Sequence, residues 1–140
     1  MAEIGALRPD DVTILDMEAS IEHLSRGTLK HVESLLIVTE PYFRAIETLG
    51  RTAPLARELG IPHIVAVANK VRSERDEATI RAYCAKLGLP LIGVLPYDEA
   101  AQQADRENTA LIDYAPDGAA VTAISGIVDA LLARAGGKTS

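Results

Sequence analysis

Four short apolar runs in this chain each end on residues able to do chemistry. Val12-Thr13-Ile14-Leu15 stops at Asp16, with Glu18 two residues on. Ser34–Thr39 stops at Glu40-Pro41, His63–Ala68 runs into Asn69-Lys70, and Leu91–Leu95 ends at Pro96-Tyr97-Asp98. A carboxylate placed like Asp16 can hold magnesium through a water, because magnesium gives up its hydration reluctantly. The same Asp serves equally as the cap of a following helix. The Asn69 amide donates and accepts at once, as a purine edge requires, although Asn is also an ordinary turn residue. Pro96 and Asp98 are turn formers as well. Taken together, three of the four ends carry side chains suited to a magnesium nucleotide.

The elements that must position these residues follow from periodicity. The four runs are short, almost free of charge and rich in β-branched residues or Leu, the pattern of strands buried on both faces. Between Phe43 and Leu59, apolar residues at Ile46, Leu49, Ala53, Ala56 and Leu59 predict a helix, stopped by Gly60 and Pro62. Pro54 lies inside it and is expected to kink or split it. A second helix is expected over about 73–87, with Ile80, Tyr83 and Leu87 on one face and Gly88 as its end. A short polar helix near 98–106 and a last helix over about 119–135 complete the pattern, the last with Ile124, Ile127, Val128 and Leu131 facing inward. Strands alternating with helices imply a three-layer α/β fold, a mostly parallel sheet with helices on both faces. In such sheets ligands bind beyond the carboxyl ends of the strands, where Asp16, Glu40, Asn69 and Asp98 fall.

Composition agrees. The 140 residues fit one domain, and 48% of them are hydrophobic with almost no aromatic content, so the core is aliphatic. A formal net charge of −6 argues against nucleic acid or an anionic membrane as the main partner. One cysteine, Cys84, cannot make an internal disulfide. There is no apolar run near the ~20 residues of a membrane span and no leader-like N-terminus. The expectation is a cytoplasmic protein. His23, His31 and Glu22 can be read as contributors to a metal site, but ordinary solvated or hydrogen-bonded groups account for them more readily.

The stretch from Asp11 through Asp16, Glu18, Ala19, Ser20, Glu22 and His23 to Gly27 resembles the Walker B and switch II region of MinD/ParA-type P-loop ATPases. It is most similar to their CooC-like branch, the accessory ATPases of carbon monoxide dehydrogenase nickel maturation. Val67-Ala68-Asn69-Lys70-Val71 and Ile92-Gly93-Val94-Leu95-Pro96-Tyr97-Asp98 match the same branch in order and spacing, so the likeness spans about residues 10 to 132. The resemblance implies a P-loop-NTPase-like fold and ATP with Mg2+ as cofactors. Asp16 would be the magnesium-associated carboxylate, and Ala19 and Ser20 the start of switch II. Asn69, with Lys70 beside it, would meet the adenine, and backbone from Pro96 through Tyr97 to Asp98 would line its opposite edge. Ser20 departs from the Gly of the family signature, where a side chain obstructs close backbone approach.

The larger departure is the phosphate loop. Family members begin with a strand, a Gly-rich Walker A loop and a helix, which together cradle the phosphates. The first ten residues here hold one Gly and no Gly-Lys-Thr. Gly137-Lys138-Thr139 does not replace it, since the Walker pattern needs Gly five positions before Gly137, where Leu132 stands. Residues 133–140 read as a frayed tail. The expectation is therefore a C-terminal portion of the fold, lacking the first strand and its loop. It is an ATP-binding-type module, degenerate or split and not hydrolytic alone, with metallocentre maturation as its implied setting and a metalloenzyme as its implied client. A homodimer, or a partner supplying the missing strand, is expected to complete the sheet. The other reading is a scaffold or regulator that binds no nucleotide and pairs with a full-length relative.

Overall fold

The computed structural model describes residues 12–17, Gly27 and residues 31–137, with side chains described as far as Arg134. Three parallel strands, β1 (Ser34–Thr39), β2 (His63–Val71) and β3 (Leu91–Pro96), form a sheet in the order β1-β2-β3. Helix α1 (Phe43–Glu58) joins β1 to β2, and α2 (Glu74–Leu87) joins β2 to β3. The chain continues through α3 (Glu99–Arg106), the single turn α4 (Leu111–Tyr114) and α5 (Ala119–Gly137).

The helices form where their caps and apolar stripes dictate. Ser73 Oγ accepts from Asp76 N at 3.1 Å to open α2, whose first turn holds Glu74, Asp76 and Glu77, the sign favoured at a helix N-terminus. Gly88 closes α2 in the left-handed conformation at φ 65°. Leu49 and Ala53 of α1 and Ile80 and Cys84 of α2 pack over Ile37, Ala66 and Ala68 of the sheet, all buried. Burying a side chain such as Leu49 or Ile80 contributes roughly 1.5–3 kcal/mol, so this layer carries much of the fold. On the opposite face α5 lies on β3, so close that a Cβ on Gly93 would collide with Ile127 Cγ1.

Three expectations are corrected. Val12–Leu15 is not a strand: residues 12–17 have no regular structure, and Val12 and Ile14 are exposed. A strand needs a ladder partner, and β1, the element expected to stand next to it or one strand away, pairs only with β2 among the described residues. α1 runs through Pro54 without a break, the proline being exposed on the solvent side. On α5, Ile127 is buried as expected, yet Ile124 and Val128 are exposed at 42% and 47%. The described residues contain no helix long and apolar enough to cross a membrane.

Candidate functional site

At the carboxyl end of β2 the ladder is irregular. The pairing with β3 shifts between Ala68 and Val71, which leaves Asn69 and Lys70 inside the strand but out of register. Sequence reading places this pair after the strand; the bulge instead re-aims it at the sheet's rim, a common use of bulges near binding sites. Lys70 takes a positive φ of 55°, unusual for a side chain with a Cβ. Two contacts accompany that geometry. Lys70 N donates to Asn69 Oδ1 at 3.0 Å, and Lys70 Nζ pairs with Glu40 Oε1 at 3.0 Å. The hydrogen bond and charge of Glu40 raise the Lys70 pKa above its ordinary value. Glu40 directly follows β1, so the pair ties together the carboxyl ends of two strands.

The end of β3 is held differently. Tyr97 N donates to Val71 O at 2.9 Å, which keeps β3 against β2 beyond the bulge. The Arg72 guanidinium lies 3.8 Å from the Tyr97 ring centre, and the Tyr97 hydroxyl accepts from Gln102 Nε2. The ring is thereby fixed on its face and at its tip. The Asp98 carboxylate accepts from Ala100 N at 2.9 Å as the cap of α3, and from Ala120 N at 3.2 Å at the start of α5. One side chain thus joins β3, α3 and α5.

These two strand ends face one hollow of about 260 Å3. Asn69, Lys70, Pro96, Tyr97 and Asp98 line it, with Gln102, Leu111 and Ile124 closing its sides. Pockets for drug-sized ligands run roughly 300–1,000 Å3, so this one is the size of a single ring system, not of a whole nucleotide. Its apolar walls suit the faces of a flat heterocycle, and the amides of Asn69 and Gln102 suit its edge. Both Asp98 oxygens are engaged by backbone amides, so Asp98 shapes the hollow instead of offering it a free carboxylate.

Asp16 does not join this group. It is exposed and absent from the lining of the hollow, and the described residues hold no cluster of three or more metal-ligating side chains. The expectations for Glu18, Ala19 and Ser20 lie outside the described residues. Sequence reading missed Arg72, Gln102 and Leu111. No motif marks them, and only the placement of α3 and α4 over the rim brings Gln102 and Leu111 in. Glu40 was legible as a strand end, though its pairing with Lys70 was not.

The sequence is similar to those of known ATP-binding proteins. It is 44% identical over 93 residues to an uncharacterised ATP-binding protein of Methanocaldococcus jannaschii, a match covering 66% of this chain and 36% of the relative. It is 39% identical over 106 residues to the carbon monoxide dehydrogenase accessory protein CooC of Rhodospirillum rubrum, covering 76% of this chain and 40% of CooC. The crystal structure of a ParA family ATPase from Chlorobium tepidum superposes with a TM-score of 0.64 at 26% identity, over 79% of this chain and 45% of that one. The chain belongs with the MinD/ParA-type ATPases. No protein-family model matches it. It spans less than half the length of these relatives. The parallel three-stranded sheet with helices on both faces is the part of the MinD/ParA fold that the chain carries.

Proposed function

We propose that these residues form the base-binding part of a CooC/MinD-like ATP-dependent module. The observation that carries this reading is the hollow at the ends of β2 and β3. There Asn69-Lys70 and Pro96-Tyr97-Asp98, far apart in sequence, line one space the size of a single ring system. In this reading the Asn69 amide bonds the base edge, and Tyr97, pinned by Arg72 and Gln102, borders it. Lys70 is held by Glu40 at the rim.

Asp16 is proposed as the magnesium-side carboxylate, with Glu18, Ala19 and Ser20 forming the switch beside it. ATP with Mg2+ is the proposed ligand. Phosphoryl transfer depends on cations and donors placed around the γ-phosphate. Hydrolysis needs those groups besides the residues proposed above, which serve the base and the magnesium side. The likeness to CooC supports metallocentre maturation as the setting, with a metalloenzyme as client.

Calorimetric titration with Mg-ATP, on the chain alone and mixed with a relative bearing a Walker A loop, tests this directly. Weak binding alone, strengthened in the mixture and lost on Asn69→Ala, is the expected result. Asp16→Ala should affect only the strengthened mode. Heat in neither arrangement would leave the non-nucleotide scaffold as the surviving reading.

A further inference from the structure

The start of α5 is capped from outside the segment that leads into it. A carboxylate just before a helix ordinarily accepts from the first free amides of that helix. Asp117 stands two residues before α5, yet Ala120 N donates to Asp98 Oδ2 at 3.2 Å instead. Asp117 is exposed and makes no hydrogen bond or ion pair with any described residue. The residue after it is Gly118, and this is the one Asp-Gly pair in the sequence.

An unengaged aspartate before glycine has a reaction of its own. The glycine nitrogen attacks the aspartate Cγ, and no Cβ on the glycine hinders the approach. A C–N bond forms, the amide proton and the carboxyl hydroxyl leave together as water, and a five-membered succinimide closes. Water then reopens the ring at either carbonyl. One opening restores aspartate. The other runs the main chain through the side-chain carboxyl as isoaspartate, lengthening it by one methylene.

The fold restrains this step at Gly118. Ala115, Pro116, Asp117 and Gly118 form a turn in which Gly118 N donates to Ala115 O at 3.0 Å. Pro116 is its second residue and Asp117 has no positive φ, so the turn is of type I. The nitrogen cannot donate to Ala115 O and attack Cγ together, so the turn must open first. Behind it, Gly118 O accepts from Thr122 N and Thr122 Oγ1, each at 3.0 Å. Gly118 is also closely packed, since a Cβ there would stand 3.1 Å from Ala115 O and 3.5 Å from Asp98 Oδ2. Asp98, through Ala120 N, therefore ties the turn to the end of β3. Pro116 and Asp117 themselves are exposed and bury nothing, which leaves the turn free to open locally.

We propose that Asp117-Gly118 is a site of spontaneous isomerisation to isoaspartate, its rate set by opening of the 115–118 turn and held down by Asp98. The product alters the wall of the hollow, because Ala120 and Ile124, just beyond the added methylene, line it. The reaction does not depend on what the hollow binds.

The full chain is incubated at neutral pH in water enriched in heavy oxygen, then digested with trypsin in ordinary water. The fragment Glu107–Arg134, which holds Asp113, Asp117 and Asp129, is sequenced by mass spectrometry. Heavy oxygen and isoaspartate should accumulate at Asp117 and not at Asp113 or Asp129. Asp98→Ala should speed this about tenfold, and Asp117→Glu, which cannot close the five-membered ring, should abolish it. Ser73→Ala removes the cap of α2, away from the turn, and should leave the rate at that of the parent, which separates local opening from a general loss of stability. The urea-unfolded chain sets the upper limit. No label at Asp117 in the folded chain while the unfolded chain acquires it, equal label at all three aspartates, or a rate raised no more by Asp98→Ala than by Ser73→Ala overturns the proposal.

Discussion

Asp98 and Lys70 show how much a single side chain does at this rim. Asp98 accepts from Ala100 N and Ala120 N, so it both starts α3 and anchors the N-terminus of α5. Losing a helix cap alone costs about 0.5–2 kcal/mol, and a stranded backbone donor adds about 1 kcal/mol or more. Asp98→Ala should therefore lower the urea unfolding free energy by roughly 2–3 kcal/mol, with Asp98→Asn losing less. Lys70 sets two small terms against each other. Its left-handed backbone costs about 1–2 kcal/mol, whereas an exposed ion pair contributes about 0–1 kcal/mol. Lys70→Gly should thus leave stability unchanged or raise it, whereas Lys70→Ala should lower it. Glu40 raises the Lys70 pKa, so the folded chain holds that proton more tightly than the unfolded one. The contribution is complete below the ordinary lysine value of 10.5 and is lost as pH climbs through the raised one. An NMR titration of Lys70 Nζ should show this, and Glu40→Gln should return it to the ordinary range.

At the scale of elements, the contact of β3 with α5 is the tightest constraint. A Cβ on Gly93 would overlap Ile127 Cγ1 and reach 2.7 Å from Cδ1. Isoleucine in a helix has one strongly preferred χ1 and cannot swing aside. Gly93→Ala should cost about 1–3 kcal/mol by overpacking, and Ile127→Ala combined with it should recover part of that loss in a double-mutant cycle. Cys84 tests the other face. It is 1% exposed, and burial raises its thiol pKa, so thiol reagents should modify it only when the chain unfolds.

The elements themselves were largely legible. Ser34–Thr39 is a strand over the span that its apolar run marks, and α2 begins and ends at Ser73 and Gly88, because caps are local signals. What could not be read was tertiary. Val12–Leu15 has the composition of a strand without a ladder partner, and Ile124 and Val128 have the periodicity of core residues without a layer to cover them. Composition and period state what a segment is suited to bury, and only a neighbour decides whether it does. The site divides in the same way. Its lining at Asn69 and Pro96–Asp98 was marked by motifs, while Gln102 and Leu111 arrive only through the path of α3 and α4.

For the whole molecule, the three-stranded sheet places a base-sized hollow at one end and leaves Leu36 and Val38 of β1 exposed on one face. Both features belong to less than half the length of the relatives. The molecule's behaviour toward ligands follows from that hollow. Because the hollow is the size of a single ring system and not of a whole nucleotide, affinity should come from the ring and owe little to the phosphates. NMR shift mapping on the isolated chain, with adenosine and with Mg-ATP in parallel, measures that. The expected result is shifts at Asn69, Tyr97, Leu111 and Ile124 with both ligands, at comparable and weak affinity. Binding of Mg-ATP without adenosine, or shifts absent from these residues with either ligand, would contradict the assignment of the hollow.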